Sequence, residues 1–247
     1  MEKNIYDRFL DEVNSRMEAL SDRSYRLPAL CAMERQWQLY LDWTRQDSAF
    51  CLRVKPETLC QPARDLLDLL WEQLEAGEAV NPHQEVYDRF LQKVEESFDE
   101  EDGQDVDFGN ANLLLDALQG HGYIFFPVRE EVLQRGGPLR RRAAFCATNY
   151  LYYYHGDYLT DCLPEGTPPD HWGRLADEYA ERDPVWLAET VRVREDLEAA
   201  GQYPASREWF RQRRAVYSGL RLPPIYRARD GAGHVVTEPV YPAETAE

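Results

Sequence analysis

Leu27-Pro28-Ala29-Leu30-Cys31-Ala32-Met33-Glu34-Arg35-Gln36-Trp37-Gln38-Leu39-Tyr40-Leu41 decides the fold class. Its apolar side chains return every three or four positions, the step that gathers residues on one face of an α-helix. A helix is expected from about Leu27 to Arg45. Pro28 is tolerated because the N–H groups of a first turn have no intrahelical acceptor. Leu27, Leu30, Glu34, Trp37 and Leu41 share one stripe, so a carboxylate stands on an otherwise apolar face. A buried carboxylate without a partner is costly, so Glu34 is expected to be buried and matched by an Arg or Lys of another helix. A structural ion pair is the favoured role, and a functional carboxylate is the other.

The same periodicity runs outward in both directions. Ile5, Phe9, Val13, Met17 and Leu20 give a helix over residues 4 to 20. A third helix is expected from about Pro62 to Ala76, stopping at Gly77. Asn81-Pro82 supplies an N-cap and first-turn proline for a fourth, to about Phe98. Ala111 to Leu118 reads as helical, and the stretch after Gly120 is ambiguous. Pro138 opens a helix running to His155, and the loop Leu163 to Pro169 breaks it within one domain. From Asp170 to Ala200 a long helical stretch is interrupted at Asp183-Pro184, which calls for a kink or two abutting helices. A last helix covers about Ala205 to Tyr217. After Pro223-Pro224 the pattern changes to a short hairpin around Asp230-Gly231-Ala232-Gly233. The expectation is an all-α bundle of about eight helices over residues 1–221, with a C-terminal extension over 222–247 carrying a small β-hairpin.

Length and composition agree with a packed globule. A chain of 247 residues with 43% hydrophobic and 12% aromatic content buries about 73% of its surface on folding by size scaling, without needing staples. No apolar run approaches the roughly 20 residues of a membrane span. The opening Met1-Glu2-Lys3-Asn4-Ile5-Tyr6 has no signal-type apolar region, so a cytoplasmic location is expected. The five cysteines stand at unrelated spacings with no CxxC pair, and reduced thiols are the simplest reading.

The formal net charge is −17. A field of that sign repels phosphate backbones and anionic lipids, which disfavours nucleic-acid and membrane binding. It suits either solubility alone or a basic protein partner. The acid is densest from Glu95 to Asp107, where Asp99, Glu100, Glu101 and Asp102 run together. These four are candidate binding residues through their effect on encounter rate.

Few constellations carry chemistry. Asp65, Asp68, Glu72 and Glu75 form a carboxylate ladder opposite Leu66, Leu67, Leu70, Trp71 and Leu74, and read as a solvated face. None of the five histidines has a Glu three residues before it, so a di-iron bundle is not indicated and no metal or cofactor is expected. Tyr150, Tyr152, Tyr153, Tyr154, His155 and Tyr158 with Asp157 form an aromatic cluster. Packing or partner contact is its favoured reading and a ligand pocket through Tyr152 and His155 the alternative. Arg140-Arg141-Arg142 and Arg211, Arg213, Arg214 are expected to pair with the chain's own carboxylates. No nucleophile elbow and no phosphate-binding loop occurs.

Three segments, in this order and spacing, resemble the YjaG-type family, an all-helical bacterial family without an assigned function. They are Ala29-Leu30-Cys31-Ala32-Met33-Glu34-Arg35 with Tyr40, then Leu66-Leu67-Asp68-Leu69-Leu70-Trp71-Glu72, and Glu181-Arg182-Asp183 leading to Asp196-Leu197-Glu198-Ala199-Ala200-Gly201. The resemblance spans roughly residues 25 to 203. It implies an α-helical fold and transfers no active site. The chain departs from the family in its aromatic middle, 123 to 158, and in the tail after Arg221.

Together these readings point to a non-catalytic, acidic, helical module that binds a basic protein, in the manner of immunity-type or inhibitory proteins. A small-molecule enzyme or sensor using a Glu34 or Tyr/His155 pocket is the alternative.

Overall fold

The computed structural model describes residues 3–45, 57–76, 84–98, 114, 117, 118, 137–203, 206–225, 228, 229 and 235–237. Among these, eight α-helices make the fold: α1 (Ile5–Glu18), α2 (Leu27–Arg45), α3 (Glu57–Ala76), α4 (Gln84–Phe98), α5 (Gly137–Tyr153), α6 (Trp172–Ala180), α7 (Pro184–Gly201) and α8 (Arg207–Ser218). A π-helical turn, Tyr154–Leu159, continues α5, and a 3-10 turn, Pro169–His171, leads into α6.

The helix ends obey local chemistry. Asn4 caps α1 by accepting the Asp7 N–H at 2.7 Å, Asp183 caps α7 from Trp186 at 2.8 Å, and Ser206 caps α8 from Trp209 at 3.2 Å. Each side-chain oxygen satisfies one of the donors that a first turn leaves without an acceptor. Asp183 and Pro184 therefore start a new helix, and the long stretch from Asp170 divides as the sequence suggests. The far end of α1 is closed from another helix. Arg140 of α5 donates through Nη1 to the carbonyls of Met17 and Leu20 at 2.7 and 2.6 Å, and through Nη2 to Asp22 at 2.8 Å. A guanidinium there meets both the open carbonyls and the negative end of the helix dipole.

One boundary differs from expectation. Helix α3 begins at Glu57 rather than Pro62 and holds Pro62 inside it. The missing N–H removes one ladder bond locally. The apolar face that follows, Ala63, Leu66, Leu67, Leu70, Trp71 and Leu74, is fully packed and keeps the helix in place. Of the helix expected over Ala111 to Leu118, residues 114, 117 and 118 are described; all three are helical and buried. The turn of the expected hairpin, 230–234, lies outside the described residues.

Helix α2 is the axis of the bundle, touching α5, α7, α8 and α3. Helix α1 lies on α5 and α7, α4 lies on α3, and α6 lies on the π turn. Every residue from Ser24 to Trp37 is buried. The sequence suggested one apolar stripe on α2; the structure buries every face of its stretch from Leu27 to Trp37, because neighbours surround it. The core also continues beyond residue 221. Leu222 and Ile225 are buried, and the Tyr150 hydroxyl donates to the Pro223 carbonyl at 2.8 Å. No helix of the described residues is long and apolar enough to cross a membrane.

Candidate functional site

The axial helix carries three consecutive buried polar residues, each aimed at a different neighbour. Glu34 is completely buried and faces α3. Arg64 donates to its two oxygens at 2.9 and 3.0 Å, and the Trp71 indole N–H donates at 2.7 Å. Arg64 also bonds Asp68 one turn on and lies 4.9 Å from the centre of the Trp37 ring. Arg214, from α8, approaches Glu34 at 3.8 Å and bonds Asp68 as well. Two carboxylates and two guanidiniums thus neutralise each other where α2, α3 and α8 meet. Geometry of this kind offsets the cost of taking a charge out of water. It meets the expectation that Glu34 is buried and paired with a cation of another helix.

Arg35, one position on, faces the opposite side and is also fully buried. Its Nε donates to Glu189 at 2.7 Å and its Nη1 to Asp196, both on α7. Asp196 further accepts from Arg213 at 2.7 Å and from the Tyr217 hydroxyl at 2.6 Å. The Arg35 and Arg213 guanidiniums each lie 4.7 Å from the centre of the Tyr217 ring. Arg35 Nη2 and Arg213 Nε have no hydrogen-bond acceptor among the described residues, and the electron-rich ring face serves in place of one. Burial alone would depress the Arg35 guanidinium, but the nearby Glu189 and Asp196 charges hold its pKa above the ordinary value. Tyr217 is pushed up by burial first and by Asp196 second. Gln36 completes the set, donating to the Asn149 side-chain oxygen of α5 at 2.5 Å.

The sequence did not single out Arg35, Gln36, Glu189 or Asp196. A signal was present: three adjacent polar residues interrupt a segment that is otherwise apolar on every side, which an amphipathic surface helix would not show. The carboxylate ladder on α3 also proves to be partly covered. Arg207 reaches Glu75 at 3.1 Å and Arg214 reaches Asp68, so the arginine-rich α8 lies over part of it instead of leaving it to solvent. The pairing expected of the basic patches is met at Arg140, Arg213 and Arg214.

The remaining sequence candidates are not brought together. His155 lies in the π turn, buried, with Nε2 at 2.7 Å from Asp177 Oδ1. Asp177 Oδ2 accepts the Ile5 N–H at 3.2 Å, and the Trp186 ring lies 5.7 Å from the imidazole. Tyr154, the preceding residue, donates to the Asp183 carboxylate at 3.2 Å and stacks between Tyr150 and Tyr158 at 5.6 and 4.7 Å. Both side chains turn inward from the π turn, Tyr154 to Asp183 and His155 to Asp177. Tyr152 instead is half exposed, edge-on to Tyr6 and Phe145 at 5.3 and 5.7 Å. Asp99, Glu100, Glu101 and Asp102 lie outside the described residues. Among the described residues no group of three or more His, Cys, Asp or Glu is placed to hold a metal ion.

Fold and site together define a helical bundle tied internally by a buried network of charge. No family model, no curated protein and no solved structure matches the chain.

Proposed function

We propose that the chain is a non-catalytic protein-binding module of the cytoplasm, an immunity-type or inhibitory partner of a basic protein. The observation that carries this reading is where the polar and apolar groups are spent. Each charged side chain at the core is matched within the protein, Glu34 by Arg64 and Arg35 by Glu189 and Asp196, while Phe145, Tyr152, Trp172, Leu187 and Val191 are exposed on a chain of net charge −17. Exposed aromatic and aliphatic side chains on an acidic surface suit contact with a basic protein. The YjaG-type resemblance fits an all-helical protein and adds no chemistry to it.

The test is affinity purification from the protein's own cells, followed by binding kinetics with the recovered partner at low and high salt. A basic partner is expected, with an association rate that falls steeply as salt rises. Replacing Asp99, Glu100, Glu101 and Asp102 by Asn or Gln should lower the on-rate more than it raises the off-rate. An acidic partner, or an on-rate indifferent to salt, would leave the charge as solubility alone.

A further inference from the structure

We draw no further inference here: the strongest candidate, the exposed aromatic patch that Phe145 and Tyr152 of α5 form beside Tyr6 of α1, carries nothing because nothing in the structure shows what covers it.

Discussion

Replacing Glu34 by Ala tests the logic of the buried charge network most directly. The side chain is fully buried, so its removal cannot be absorbed by solvent. Arg64 loses two charge-assisted hydrogen bonds, of a kind that contribute about 1.5–3 kcal/mol each. The Trp71 N–H, buried in the core, loses its acceptor, which costs about 1–3 kcal/mol. Against this, the variant no longer desolvates a carboxylate. Arg64 is not stranded either, because it keeps Asp68 and its side chain is 18% exposed. These terms place the cost near the lower end of the roughly 3–5 kcal/mol seen when a buried pair loses one member. Domains of ordinary stability have about 5–15 kcal/mol, so the variant should fold and be measurable. Urea unfolding followed by helical circular dichroism should show the midpoint falling by about 1 M, for a slope near 3 kcal/mol per M that the substitution leaves unchanged. Glu34→Gln keeps an acceptor for Trp71 and should cost less than Ala. Arg35→Met should cost more than either, near 5 kcal/mol, because it withdraws a cation from both Glu189 and Asp196, which are themselves buried. The reasoning is refuted if Glu34→Ala costs under about 1 kcal/mol, or if the Gln and Ala variants are equally destabilised.

Two further outcomes follow from the packing. A chain ended after Ile225 should melt like the full chain. One ended after Leu222 should lose about 3 kcal/mol, because it gives up the buried Ile225 side chain and the carbonyl that accepts from Tyr150; equal melting of the two truncations would exclude Ile225 from the core. At alkaline pH, burial raises Tyr6 to about 12 and pushes Tyr154 and Tyr217 up as well. Groups whose pKa is raised by folding contribute stability that is complete below the unfolded value near 10 and lost as pH rises through the folded value. Unfolding should therefore set in above pH 10, with part of the phenolate absorbance appearing only as helical dichroism is lost. Ionisation of all fifteen tyrosines near pH 10 with the helices intact would contradict it.

The sequence by itself determined what is local. Asp183-Pro184 marks a helix start because a cap is chemistry within three residues. The three- and four-residue returns of Leu27, Leu30 and Trp37 mark α2 because a helix repeats over that distance. A carboxylate in that stripe demanded a cation, and Glu34 has one. Only the tertiary structure decided which cation it is, since Arg64 lies 30 residues away and any helix carrying an arginine could have supplied it. The same holds for Arg35, whose partners on α7 are 154 and 161 residues distant. Its burial was hidden because periodicity reveals a helix with one wet face, whereas α2 has none from Leu27 to Trp37. The ladder on α3 looked solvated for a related reason: its spacing gives the face, and only the docking of the arginines of α8 determines what covers it. The π turn that carries Tyr154 and His155 is likewise a departure from the regular helix that the apolar pattern does not encode.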